Sequence, residues 1–384
     1  MASRKDVTVY IGRFNPFHRG HAHVLDRAIQ SSKLVVLLIG SAHQARSLKN
    51  PFTFAERSSM INTWIASRKN ASADDAEVVI CAVRDYPYSN NTWIKSVQST
   101  VKAAVQNFCI PRQTILTGIY LTGSDRDDST WYLKAFPQWK LDLVDPLDNP
   151  AKLSATSVRQ VLYESNLLPE DFASLVTKCP RSTCAFFEKF AADGKLDILR
   201  EEYQMIKDYK AKWSVAPYAP TFMTADAVII QSGHVLVVRR AKMPGKGLIA
   251  LPGGFVKQNQ RVQEAAVDEV MEETGLLLTT GKKAVEITKA MLLGSIKTWD
   301  LFDDPERSAR GRTITVAYLM RLDDTKPLPL VSGQLVPEYE RLVEGDVETL
   351  EAFWMPLEQA LSNSSQWFED HHSILSIMAS KKDI

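Results

Sequence analysis

The chain has 384 residues, 45% of them hydrophobic and 24% charged, with a formal net charge of +1. That length exceeds one ordinary core and predicts two domains, and the composition excludes a disordered or fibrous chain. Near-neutral balance excludes a surface built to coat nucleic acid, although a local anion pocket needs only a few cations.

The opening MASRKDVTVYIGRF carries no apolar leader before its first strand. The longest apolar run, LVVLLI at 34–39, reads as a buried strand far short of a membrane span. The expectation is a cytoplasmic protein that meets no membrane. VTVYIG (7–12), LVVLLIG (34–40), EVVICAV (77–83), IYLTG (119–123) and LDLV (141–144) read as buried strands. They alternate with helical stretches such as AHVLDRAIQSS (22–32) and NTWIKSVQSTVKAAVQNF (91–108). Such alternation predicts an α/β, Rossmann-like parallel sheet whose ligands sit at the carboxyl ends of its strands. The four cysteines, Cys81, Cys109, Cys179 and Cys184, show no Cys-x-x-Cys spacing and read as reduced structural thiols.

Within the first strand's exit lies YIGRFNPFHRGH, residues 10–21. The strand delivers Gly12, the chain turns through Asn15–Pro16, and His18 and His21 flank a glycine at a helix start. Helix-end amides with imidazoles make an anion site, and such donors suit phosphate oxygens whose charge grows in a transition state. A bland turn with two histidines, or a metal site, are the alternatives; two histidines without a third ligand make zinc a poor fit. Farther on, LSATSVRQVL (153–162) places Ser154, Thr156 and Ser157 before an apolar helix with Arg159 in its first turn. One hydroxyl would suffice as a helix cap, whereas three with an arginine suit a polyphosphate.

From about 156 to 213 the pattern is helical, with Leu199, Tyr203, Ile206 and Trp213 on one stripe, until SVAPYAP (214–220) breaks it. The boundaries read as a first domain over 1–180, a helical connector over 181–215 and an α+β domain over 216–384. In that last part TADAVIIQ, HVLVVRRA and TITVAYLMRL (313–322) are strands. Between them GGFVKQNQRVQEAAVDEVMEETG (253–275) spaces Glu269, Glu272 and Glu273 along one helix face. Crowded carboxylates repel unless a divalent cation such as magnesium joins them; a solvated acidic face is the plain alternative.

GRFNPFHRGH with LSATSVR resembles the nucleotidyltransferase superfamily. GSAHQARSLKNPFTFAER (40–57), NNTWIKSVQ (90–98), YLKAFPQW (132–139) and the run APYAPTFMTADAVIIQSGHVLVVRRAKMPGKGLIALPGGF (216–255) narrow the resemblance to nicotinamide mononucleotide adenylyltransferases fused to a Nudix domain. The resemblance implies that ATP and nicotinamide mononucleotide give NAD and pyrophosphate, with Mg2+. It implies catalytic roles for His18, His21 and Arg159, and nucleotide contacts from Gly12, Arg13, Phe14, Asn15, Arg46, Arg126, Ser154, Thr156 and Ser157. Trp93 would stack on the nicotinamide, with helix packing as its other reading. TGSDRDDS (122–129) departs from the family, carrying Ser124 and Arg126 where such enzymes tend to have Gly-His and a Lys.

Aligned on Gly254, the Nudix motif gives Gln260, Asp268, Glu269, Val270, Glu272, Glu273, Gly275 and Leu276. The resemblance implies Mg2+ on the three glutamates and ADP-ribose, cut to AMP and ribose 5-phosphate, as ligand. Gly253, Gly254, Arg310 and Arg312 would contact it, with Trp299 or Phe302 stacking on its adenine and Asp346 or Glu348 as base. Gln260 and Asp268 replace a Glu and an Arg, so impaired hydrolysis is expected, or a unit that only senses ADP-ribose or NAD. Arg261 and Lys257 are the cations nearest in sequence to compensate. An adenylyltransferase for another phosphorylated acceptor is a third reading, and homo-oligomer formation is left open.

Overall fold

A computed structural model describes residues 4–68, 71–123, 128–144, 153–165, 169–280, 283–331 and 349–381. The chain forms two compact units, Met1–Glu201 and Glu202–Ile384.

In the first unit β1 (Lys5–Gly12), α1 (Arg19–Ser31), β2 (Ser32–Ile39), α2 (Phe54–Ala66), β3 (Glu77–Ala82), α3 (Asn90–Arg112), β4 (Ile119–Gly123), a 3-10 turn (Asp128–Lys134) and β5 (Lys140–Leu143) follow in order. The strands form one parallel sheet in the order β3-β2-β1-β4-β5. Successive residues of a strand face opposite sides, and here both sides are covered. Val7, Val9 and Ile11 pack with Leu34, Val36 and Leu38 against Val97, Val101 and Ala104 of α3. Tyr10, Val35, Leu37 and Ile39 pack against Val24, Leu25, Ala28 and Ile29 of α1 on the other side. This is why LVVLLI is apolar without interruption. The chain steps from β1 to β2 on one side and reaches β4 on the other, so the order reverses at β1, where such sheets open a crevice at their carboxyl edge. Helices α4 (Ala155–Glu164), α5 (Pro169–Lys178), α6 (Arg181–Ala192) and α7 (Lys195–Ala211) follow. Leu199 and Ile206 of the expected stripe are buried, but Trp213 lies beyond the end of α7 and is exposed, because the helix stops before it. Cys179 and Cys184 are buried free thiols, and burial raises the pKa of each.

The second unit runs β6 (Thr221–Gln231), β7 (His234–Arg240), β8 (Ile249–Ala250), β9 (Gly253–Phe255), α8 (Val262–Thr274), β10 (Leu276–Thr280), β11 (Lys283–Glu286), α9 (Lys289–Ser295), β12 (Ile296–Phe302), β13 (Arg312–Arg321), β14 (Leu330–Val331), β15 (Thr349–Pro356), α10 (Leu357–Ser362) and α11 (His371–Ala379). Its main sheet has the order β12-β13-β6-β7-β15, with β8 on β7 and β9 on β6. The β6–β13 pair is parallel and its other pairs are antiparallel, so the sheet is mixed, within the α+β domain expected for this half. Ala265, Ala266, Val267 and Val270 press α8 onto the core that includes Ala225, Ala227 and Val316. No described helix is long and apolar enough to cross a membrane.

At the start of α11 the second unit buries charge. Arg307 donates through Nε and Nη2 to the two oxygens of Asp370, at 3.0 and 2.9 Å, a fork that suits a guanidinium. Beside it His371 Nδ1 accepts the backbone N–H of Leu251 at 3.0 Å, and burial pushes its imidazole down to about 3. Unfolded, His371 takes a proton near its ordinary value of 6.5, so the unfolded chain binds more protons below that pH. Its contribution to stability is complete above pH 6.5 and is lost as pH falls toward about 3. Urea melts of the protein across this window should lose stability with acid, and His371→Gln should flatten that loss. An equal slope in the variant would assign the acid sensitivity to other groups.

Candidate functional site

Strand β1 brings Gly12 to the carboxyl edge of the sheet. Phe14 then adopts a φ of 51°, and its ring folds back so that a Cβ on Gly12 would come within 2.8 Å of it. Only glycine at position 12 leaves room for this reversal. Buried Asn15 anchors the loop: its Oδ1 accepts the N–H of Phe52 at 3.1 Å, and its Nδ2 donates to Asn50 Oδ1 at 3.3 Å.

Helix α1 starts on the two histidines themselves. His18 is the N-cap, and its Nδ1 accepts the N–H of His21 at 3.3 Å. His21 Nδ1 accepts the N–H of His18 in return, also at 3.3 Å, a capping box made by imidazoles. The rings stack with centroids 3.6 Å apart. Because each Nδ1 is an acceptor, each neutral ring carries its proton on Nε2 as a donor.

The downstream segment meets this loop. Arg159 Nη1 donates to the carbonyl of Asn15 at 2.8 Å and its Nη2 to Thr156 Oγ1 at 3.1 Å. Ser154 caps α4 by accepting the N–H of Ser157 at 3.1 Å, and Ser157 Oγ donates to the carbonyl of Ser154 at 2.8 Å. Two of the three hydroxyls thus serve the cap, the plainer of their two readings, while Thr156 supports Arg159. Arg13 is exposed on the same loop. Arg46 forks onto Glu56 with two bonds of 3.0 Å, donates to the carbonyl of Pro51 and lies over the ring of Phe190. Trp93 sits half-buried beside Trp131, Tyr132 and Phe136. Ser124 and Arg126 lie outside the described residues.

One residue escaped the sequence reading. Arg57 of α2 is fully buried and donates to the carbonyls of Arg13 (2.6 Å), Gly40 (2.7 Å), Ser41 (3.0 Å) and Thr53 (3.3 Å). Burial pushes it down to about 10, with Asp85 opposing, so it remains a cation at neutral pH. Within PFTFAER it looks like any charged helix residue, and no spacing marks it.

In the second unit the three glutamates share a face of α8 but do not gather. Glu273 accepts the N–H of Gly253 at 3.1 Å and the hydroxyl of Thr349 at 2.9 Å. Glu269 lies so close to Gly254 that a Cβ there would collide with its carboxylate. Glu272 is exposed, 3.8 Å from Lys257 Nζ. Among the described residues no three His, Cys, Asp or Glu side chains are grouped as they would be around a metal ion. The donor chemistry fits a hard divalent cation, since all three side chains offer carboxylate oxygens. Gly275 closes α8 in the left-handed conformation, φ 52°.

Asp268 is paired by Lys289, whose Nζ donates to Oδ1 at 2.7 Å, and Lys257 adds a smaller electrostatic attraction. Partial burial works against ionisation of Asp268, but Lys289 and Gln260 outweigh it and hold its carboxyl below the usual range. Of the aromatic candidates Trp299 is 58% exposed, whereas Phe302 is buried in the core and has no face to offer a ligand. Arg310 lies 5.0 Å over the ring of Phe255 and 4.0 Å from Glu369 Oε2. Arg312 donates to the carbonyl of Asp303 at 2.5 Å. Asp346 and Glu348 lie outside the described residues.

A cytidylyltransferase-like family model matches residues 9–161 and a NUDIX-domain model residues 220–376. The chain is 30% identical over 200 residues to a nicotinamide/nicotinic acid mononucleotide adenylyltransferase of Acinetobacter baylyi, covering 52% of this chain and 94% of that protein. It is 32% identical over 103 residues to an ADP-ribose pyrophosphatase of Methanocaldococcus jannaschii, covering 27% of this chain and 52% of that protein. A solved bifunctional NMN adenylyltransferase/ADP ribose pyrophosphatase of Francisella tularensis, complexed with AMP and a manganese ion, is similar over 98% of both chains, with a TM-score of 0.78 and 29% identity.

Arg57→Met should leave several buried carbonyls unpaired and lower the stability of the first unit by roughly 3–5 kcal/mol in urea unfolding. A loss below about 1 kcal/mol would mean that water takes over the four carbonyls.

Proposed function

Because the chain belongs to the family of nicotinamide mononucleotide adenylyltransferases, here joined to a NUDIX domain, we propose that one unit makes NAD and the other cleaves ADP-ribose. The first unit transfers AMP from ATP to nicotinamide mononucleotide. What carries this reading is the histidine pair that caps α1 at the end of the central strand, with Arg159 held on the same loop.

The chemistry asks little covalent work of the protein. A phosphate oxygen of the mononucleotide attacks the α-phosphorus of ATP, the new P–O bond completes NAD, and the bond to pyrophosphate breaks. Rate then comes from setting two anions in line and stabilising the charge that grows on them. His18 and His21 would donate from Nε2 to the ATP phosphates, at a helix start that favours anions. Arg159, with Thr156 and Ser157, would hold the leaving pyrophosphate. Arg13 and Arg46 are assigned to phosphates and Trp93 to the nicotinamide ring. Arg46 would have to give up part of its pairing with Glu56 to do so.

The second unit would convert ADP-ribose to AMP and ribose 5-phosphate, weakly, because two motif positions are changed. Bound magnesium would neutralise phosphate charge in both units, held in the second by Glu269, Glu272 and Glu273. Gly253 and Gly254 would let the diphosphate approach the backbone, with Arg310 and Arg312 near it and Trp299 stacking on adenine. One observation favours a second reading, a unit that binds ADP-ribose or NAD without cutting. Both oxygens of Glu273 are already engaged by Gly253 and Thr349.

Two assays test these readings. With ATP, magnesium and nicotinamide mononucleotide, His18→Ala should slow NAD formation about 10²–10³-fold while circular dichroism stays the same; a rate close to the original would remove His18 from the site. With ADP-ribose and magnesium, AMP should appear slowly and Glu273→Gln should abolish it. Binding without release of AMP would establish the sensor instead.

A further inference from the structure

The two departures from the NUDIX motif touch one another. Gln260 Nε2 donates to Asp268 Oδ2 at 2.8 Å, and Gln260 Oε1 accepts the backbone N–H of Lys257 at 3.1 Å. That second bond fixes which way the amide faces, since only its oxygen can accept the N–H. The other oxygen of Asp268 takes Lys289 Nζ, from the first residue of α9. A relay therefore runs from the β9–α8 loop through Gln260 to Asp268, next in sequence to Glu269, and on to Lys289.

Charge explains why the positions differ together. A Glu and an Arg sum to zero; so do Gln260, Asp268 and Lys289. Once position 268 is acidic, a glutamate at 260 would bring two like charges into hydrogen-bond range, whereas an amide donates across the same gap. Lys289 lies outside the motif, so sequence comparison of the motif alone misses the cation.

We propose that Lys289 is a positioning residue of the second site: with Gln260 it fixes Asp268, and through it the α8 face that carries Glu269, Glu272 and Glu273, in the role that the motif gives to its arginine. The inference rests on the reading of this unit as a NUDIX hydrolase. Weak activity is then the activity of a rearranged clasp, and it depends on a residue of α9.

The test uses the full chain, with Mn2+ affinity read by electron paramagnetic resonance, Glu273→Gln as the blank for metal bound elsewhere, and ADP-ribose cleavage resolved into kcat and KM. Lys289→Met should weaken Mn2+ binding about 10–100-fold and lower kcat more than it raises KM, and Lys289→Arg should recover most of both. The motif-restoring pair Q260E/D268R should stay impaired while Lys289 is present, because its guanidinium would meet the ammonium. Adding Lys289→Met to that pair should improve metal affinity at least about 10-fold, a non-additivity expected only of residues in contact. Thermal unfolding of each variant separates these effects from loss of fold. The proposal is overturned if Lys289→Met keeps the original affinity and kcat, or if the restored pair performs equally with and without Lys289. Should the unaltered protein neither bind Mn2+ nor cleave ADP-ribose while the triple variant does both, the role of Lys289 falls and the hydrolase fold keeps its function. Should every form fail, the hydrolase reading itself falls.

Discussion

The loop between β1 and α1, proposed to bind anions, has no ladder for its backbone, and in the first unit Arg57 takes that burden. One buried guanidinium accepts no bond and donates to four carbonyls, from the exits of β1 and β2 and from the cap of α2. Carbonyl oxygens left loose beside a phosphate would repel it, and left loose in a core they would be unpaired. Arg57 removes both faults and leaves a positive charge beneath the loop, where it adds to that of Arg159. The histidine pair stands on this base. Asn15 gives its carbonyl to Arg159 and its side chain to Phe52, so the loop is held from two further segments before a ligand arrives.

In the second unit the corresponding constraint is a lack of side chains. Gly253 and Gly254 lie on β9, against β6, and the carboxylates of Glu269 and Glu273 come down onto their backbone. A Cβ at Gly254 would collide with the Glu269 carboxylate of α8 and one at Gly253 with Ala225 and Asp226 of β6, while Ala265, Ala266 and Val270 pull α8 close. Packing and site geometry are therefore one fact: small residues on the sheet and on the buried face of the helix set the depth at which the acidic residues stand.

Much of this was legible in the residues. The strands of the first unit follow from β-branched runs, since a parallel sheet covered on both faces needs them, and the helix at 262–274 follows from its acidic and apolar spacing. The meeting of Arg159 with the His18 loop was legible only through resemblance, because 144 residues separate Arg159 from Asn15. Arg57 was not legible at all: a buried arginine is defined by the carbonyls around it, which only the fold assembles. Phe302 and Trp299 looked alike as aromatic residues three apart, yet they differ by which face of β12 they occupy. Trp213 misled for the opposite reason, since a helical stripe says nothing about where the helix stops.

The two sites differ in what holds them, and this bears on where change accumulates. His18, His21 and Arg159 are set by bonds to backbone, which hardly alter when neighbouring side chains are exchanged. Around Glu269 the setting runs through side chains, Gln260 to Asp268 to Lys289, so a change of charge at one of them falls on its partner. A motif read position by position scores Asp268 as a reversal of charge. Read as a sum over groups in contact, the same region is neutral, and what has changed is the path by which the helix is held rather than the charge beside its carboxylates.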